Sequence, residues 1–228
     1  MRRTQTQQKI SGVALLLLWC VGLLAYRSYL TPHTFVGGDK STQGMVWNLF
    51  LAVVPLFWSF AFEAASARKR PAWAALFFFL WLLFLPNAPY LFTDLIHLHS
   101  SPDVPLWYSL AVFMSCAGTG TLLGYLSLLD VQRVIEQRFG KKTGWAVAAG
   151  SLIVCGFGIY LGRSLHWNSW DVFAHPASLL RTIAQHVTHP GSQPNPCAVT
   201  LVFGVGLLIG YIGVRIFSAS LPPNAETD

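Results

Sequence analysis

Residues 71–99 read PAWAALFFFLWLLFLPNAPYLFTDLIHLH, and this stretch decides the fold. From Pro71 to Tyr90 no side chain is charged, and a helix of about 20 apolar residues is what crosses the hydrocarbon of a bilayer. Polarity then returns abruptly with Asn87, Tyr90, Asp94, His97 and His99. At about 1.5 Å per helical residue, Asn87 lies about 24 Å from Pro71 and Asp94 about 35 Å from it. The hydrocarbon is about 30 Å thick, so Asn87 is near its edge and Asp94 at or beyond it. Pro86 and Pro89 flank Asn87. Each removes a backbone donor and disturbs the carbonyl four residues earlier, which predicts a kinked or interrupted helix. Broken backbone at this depth is stable where protein covers it or where it lines a polar cavity. The polar run favours a lining role.

The rest of the chain has the same character. Of 228 residues only 11% are charged and 54% hydrophobic. A soluble domain needs about 25% charged residues to solvate its surface, so this chain is an integral membrane protein. Disordered, fibrous and nucleic-acid-coating proteins are excluded on the same ground. The four cysteines, Cys20, Cys116, Cys155 and Cys197, lie in or at the mouth of apolar stretches and read as packing residues, with no disulfide or metal framework.

Six spans are expected, over about 10–30, 45–65, 71–95, 104–129, 144–162 and 198–217. They predict an all-α, polytopic transmembrane bundle forming a single domain over 1–228. The first run reads as a retained helix, because it is long and lacks a small-x-small cleavage site. Basic residues set the direction. Arg2, Arg3 and Lys9 precede span one; Arg68, Lys69 and Arg70 join spans two and three. Arg133, Arg138, Lys141 and Lys142 join spans four and five, and Arg215 lies near the last exit. That places 11 of the 15 basic residues on one side, which assigns both termini to the cytoplasm. The +6 charge is thereby a topology signal, with no nucleic-acid partner implied. Glycines four apart, Gly120 and Gly124, Gly158 and Gly162, and Gly206 and Gly210, are candidate helix contacts.

All seven histidines fall on the opposite, extracytoplasmic side in this topology. Asp94 shares a face with His97 if the backbone is helical there; His97 and His99 share one if it is extended. With His166 they are candidate ligands for a divalent metal, although the spacing matches no established metal motif. A second polar patch runs from Arg163 through His166, Trp167, Asn168 and Trp170 to Asp171. Arg163 stands at the membrane edge, where it can reach a phosphate or pair with Asp94 or Asp171. Asn48, a few residues inside span two, needs a polar partner. The segment 172–197 reads as interfacial, with Leu179, Leu180, Ile183 and Val187 forming an apolar stripe on a short helix that starts near Pro176. The basic end offers nothing comparable: Glu63 balances neighbouring cations, and DVQRVIEQRFGKK (130–142) reads as an amphipathic cytoplasmic extension. No phosphate loop, dinucleotide fingerprint or nucleophile elbow is present.

Three motifs carry a resemblance: WNLFLA from Trp47, LFLPNAPYLFTDLIHL over Leu83–Leu98, and YLGR followed by NSWD between Tyr160 and Asp171. Together they resemble a family of bacterial integral membrane proteins of unknown function, over about residues 15–217. Where that family carries an aromatic residue after the arginine of YLGR, this chain has Ser164. The resemblance implies membrane topology and focal residues, and no reaction. The residues themselves predict an outward polar pocket walled by Asn48, Asn87, Tyr90, Asp94, Arg163, Asn168 and Asp171, for an anionic lipid or small ligand. As an enzyme it would use Asp94 or Asp171 as base and Arg163 to position the anion, with His97, His99 and His166 on a metal or proton relay. The competing readings are an accessory subunit of a larger membrane complex, whose partners would include lipids, pigments or other helices, and a small transporter using the broken third span.

Overall fold

A computed structural model describes residues 2–30, 40–97, 104–188 and 195–220. Every long element among them is helical, and six helices are long and apolar enough to cross a membrane. In order these are α1 (Arg2–Leu30), α2 (Lys40–Ala67), α3 (Pro71–Phe84), one-turn α4 (Asn87–Tyr90) and a 3-10 segment (Leu91–His97). There follow α5 (Leu106–Phe139), α6 (Lys141–Leu165), one-turn α7 (Asp171–Ala174), α8 (Pro176–Thr188) and α9 (Pro196–Ser220). The expected six-span bundle is therefore present. The fourth span differs most, since α5 continues to Phe139 and absorbs most of the amphipathic 130–142 segment. It stops at Gly140, whose φ of 90° is open to glycine and strained for other residues, and α6 begins at the next residue.

The chain forms two compact units, Met1–Val134 and Ile135–Asp228. In the first, α5 is the central element. Its most apolar window is 61% buried, against 17% for α1, so α1 is the peripheral helix and needs specific ties. It runs antiparallel to α5 and is bonded to it at several levels. The Trp19 indole donates to Ser115 at 3.2 Å, and the Cys20 thiol to Thr119 at 3.3 Å. The Tyr108 hydroxyl donates to the Leu23 carbonyl at 2.6 Å. Trp81 of α3, fully buried, donates to Ser127 of α5 at 3.1 Å. Such interhelical bonds matter in a bilayer, where apolar side chains gain little by leaving lipid for protein.

The glycine reading is half right. A Cβ on Gly120 would overlap the Ala88 carbonyl oxygen, and one on Gly124 would stand 3.0 Å from the Ala88 Cβ. This pair lets α4 lie directly on α5. In the second unit the close approach of α6 and α9 falls at Gly156 and Gly204, where added Cβ atoms would meet the facing backbone. Gly206 has open space around its Cβ position. Gly156 and Gly204 stand two residues from Gly158 and Gly206 and so lie on other faces of their helices; a four-residue glycine spacing does not mark this contact.

Candidate functional site

The third span is interrupted where the two prolines require it. α3 stops at Phe84, and Asn87 turns back so that its Nδ2 donates to the Phe84 carbonyl at 3.0 Å. Asn87 thus satisfies one of the acceptors that the broken helix end leaves open. After α4 the chain tightens into the 3-10 segment, where the Thr93 hydroxyl donates to the Tyr90 carbonyl at 2.7 Å. That segment carries Asp94, only 8% exposed. The Asn48 Nδ2, from α2, donates to Asp94 Oδ2 at 2.9 Å. Two residues singled out separately from the sequence are therefore joined, and Asn48 has the polar partner it required. Tyr90 is half-buried at the end of α4, one residue before the 3-10 segment.

Arg27 belongs to this end of the first unit; it is one of the four basic residues that the charge bias leaves on the extracytoplasmic side, and the sequence gives it no site role. It is 7% exposed, donates to the Ser109 hydroxyl at 2.8 Å and places its guanidinium 6.0 Å from the Phe113 ring centroid. Ser109 and Phe113 are spaced i, i+4 on α5, which puts them on one face, so the guanidinium is held against a single buried face of that helix.

In the second unit the polar patch is built locally. α6 ends at Leu165, and His166 takes the left-handed conformation, φ 57°, while the Trp167 N–H donates to the Leu161 carbonyl at 3.1 Å. His166 is an exposed helix-terminating residue. The Asn168 N–H donates to Asp171 Oδ2 at 2.7 Å, and the Asp171 N–H returns a bond to the Asn168 carbonyl at 3.0 Å. His175 Nδ1 stands 3.7 Å from Asp171 Oδ1. The NSWD run is thus a reciprocally bonded turn that starts α7, with Asn168 exposed. Arg163 lies half-buried in the last turn of α6. In α8, Leu179 is buried but Leu180 is 67% exposed, which narrows the expected stripe.

Among the described residues no group of three or more His, Cys, Asp and Glu is placed to hold a metal. His97 follows Asp94 by one 3-10 turn; its side chain, and the whole of His99, lie outside the described residues.

The opposite end of the first unit is where the sequence reading falls short. Lys9 Nζ makes a short ion pair with Asp130 Oδ2 and approaches the Leu126 carbonyl at 3.4 Å. Its ammonium lies 5.1 Å from the Phe60 ring centroid. The Ser59 hydroxyl stands 3.5 Å from the same carboxylate oxygen. Both charged side chains are largely buried, at 19% and 7% exposure. A basic end without inward polar chemistry is therefore incorrect. In sequence Lys9 stands among the topology-setting cations and Asp130 at the head of the 130–142 segment, and only the packing of α1 on α5 brings them together. In the second unit, Arg215 is likewise engaged, 3.6 Å from Glu136 and over the Trp145 ring.

Six spanning helices, with polar groups gathered towards helix ends, define a polytopic helical membrane protein. The chain belongs to a protein family of unknown function, DUF1361, whose model matches residues 47–210. α1, with Lys9, Cys20 and Arg27, precedes the matched segment. No curated protein and no solved structure matches the chain.

Proposed function

We infer that this is a bacterial inner-membrane protein that binds the polar head of a lipid, or a small ligand of the same chemistry, at its extracytoplasmic end. The observation carrying this reading is the Asn48–Asp94 bond, which fixes a buried carboxylate between α2 and the broken third span. Burying a charge is costly, and a membrane chain with so few charges keeps such groups mainly where they act. Arg27, buried against Ser109 and Phe113 of α5, supplies the cation for the anionic part of the ligand. Arginine suits this role because its planar fork bonds phosphate and carboxylate oxygens in pairs. In a catalytic form of the reading, Asp94 is the general base and Arg27 steadies the developing negative charge. Arg163, in the second unit, is a separate proposed anion contact. Asp171 is a weaker base candidate, because it already closes its own turn.

The test uses water-soluble head-group analogues on detergent-purified protein. Millimolar glycerophosphate or phosphoethanolamine is expected to raise the thermal unfolding midpoint of the wild type. Arg27→Gln should remove the rise given by both analogues, Asp94→Asn should lower the rise given by phosphoethanolamine to that given by glycerophosphate, and Asp171→Asn should change neither. A wild type indifferent to every analogue, or variants that respond as the wild type does, would sink the reading.

A further inference from the structure

The turn between α2 and α3 reads ARKRP over Ala67–Pro71, three successive cations between two spanning helices. α2 closes with two reversed bonds: the Arg70 N–H donates to the Ala65 carbonyl at 3.0 Å, and the Lys69 N–H to the Ser66 carbonyl at 3.1 Å. That pattern puts the residue after the helix end in the left-handed conformation, where glycine is usual. Here the residue is Lys69, with φ 54°. A side chain with a Cβ takes this conformation at a cost that glycine does not bear. The α5–α6 turn, also flanked by cations, has Gly140 at its positive-φ position. Glycine would end α2 with less strain, and a third cation stands there instead.

Arg68, Lys69 and Arg70 are all exposed, and among the described residues none of them makes an ion pair. Glu63, expected to balance them, is exposed and pairs with none of the three. Because α2 and α3 both have spanning length, the turn between them lies at a membrane surface. Below it α3 presents Trp73, 53% exposed, and Leu76, 44% exposed, three residues apart and so on one face. The Trp73 ring packs on Phe77, 5.8 Å between centroids. Tryptophan settles at head-group level, with leucine below it among acyl chains. The surface thus passes from cations to apolar groups in the order in which a lipid passes from phosphate to chain. An acidic protein partner would need no such continuation.

We propose that the α2–α3 turn binds an anionic phospholipid whose head group carries two phosphodiesters, with Arg68 and Arg70 on the phosphates, Lys69 between them and acyl chains along Trp73 and Leu76. The site is independent of the head-group reading above, which concerns Arg27 and Asp94. Cations at a membrane surface attract anionic lipid in general and also set topology. Topology would be served equally by a cation at a neighbouring, unstrained position, so it does not account for Lys69. One phosphodiester brings one negative charge and leaves two of the three cations uncompensated. Two phosphodiesters on a shared glycerol bring two charges close enough together for three successive residues to meet. Arginine bonds phosphate oxygens in pairs, and lysine adds a point charge between them.

Native mass spectrometry of the full chain, equilibrated in mixed micelles with equimolar diphosphatidylglycerol, phosphatidylglycerol and phosphatidylethanolamine of matched chains, tests this. The wild type should retain one diphosphatidylglycerol several-fold over the other two. Lys69→Gly should reduce that retention several-fold and at the same time raise the unfolding midpoint in lipid-free detergent, because the left-handed strain is relieved. Arg68→Gln, outside the strained position, should weaken retention and leave the midpoint unchanged. Lys142→Gln removes a cation from another turn and should retain the lipid as the wild type does. Equal retention of all three lipids by the wild type overturns the proposal, as does wild-type retention in both Lys69→Gly and Arg68→Gln. A loss in Lys142→Gln as large as that in Lys69→Gly would show diffuse charge attraction and overturn the site as well.

Discussion

Among the described residues of the first unit two aspartates are buried, and they are held in different ways. Asp130 meets the ammonium of Lys9, an ion pair. Asp94 accepts from the amide of Asn48, a bond that positions the carboxylate between α2 and the broken third span. Both cross from one helical segment to another, 121 and 46 residues apart in sequence. The difference teaches which contact fastens two continuous helices and which holds a polar side chain at a break in the backbone.

The largest effect should come from breaking the fastener. Lys9→Met leaves Asp130 buried without its ammonium and should cost about 3–5 kcal/mol. The double variant Lys9→Met with Asp130→Leu should recover most of that loss, since a buried ion pair replaced by apolar groups is often neutral. Thermal or denaturant unfolding in detergent reads both. If the double variant is as unstable as the single one, the pair does more than fasten α1.

A second test disturbs only the other site. Gly120→Val puts methyl groups against the Ala88 backbone and should cost about 1–3 kcal/mol. It should also displace the segment carrying Asp94 and so weaken the response to head-group analogues. A response of wild-type size in this variant would show that α4 does not set the carboxylate's position. Asn48→Ala should have a similar or smaller effect, about 1–3 kcal/mol for a buried charged acceptor that loses its donor. It should also lower affinity for phosphoethanolamine. The smallest effect is expected at Asp171→Asn, where a half-buried but local turn should lose less than about 1 kcal/mol. A larger loss there would place Asp171 beside the two buried aspartates in importance.

These contrasts match what could be read from the sequence. The spans were legible because an apolar run of bilayer length has few alternatives, and the break in the third span because Pro86 and Pro89 both remove donors. Asn48 and Asp94 were each conspicuous as polar residues at membrane depth, so their meeting needed only the fold. Lys9 and Asp130 were hidden by their company: one stood among topology-setting cations, the other at the head of a charged segment. Arg27, one of the four basic residues assigned to the other side, drew no site role because nothing in its own segment points to Ser109 and Phe113, more than eighty residues on. Glycine spacing located the Gly120–Gly124 contact, whereas Gly156 and Gly204 meet their neighbours as single glycines, which spacing within one helix does not reveal.

Ties between α1 and α5 also impose an order on assembly. During synthesis α1 leaves the ribosome first, while Ser115, Thr119 and Asp130 are made about a hundred residues later. Until then Lys9, Cys20 and Trp19 have none of their α5 partners, and the first helix waits in the bilayer as a loosely held strut. It is made first and fastened last, and its locking reports that most of the first unit has been built.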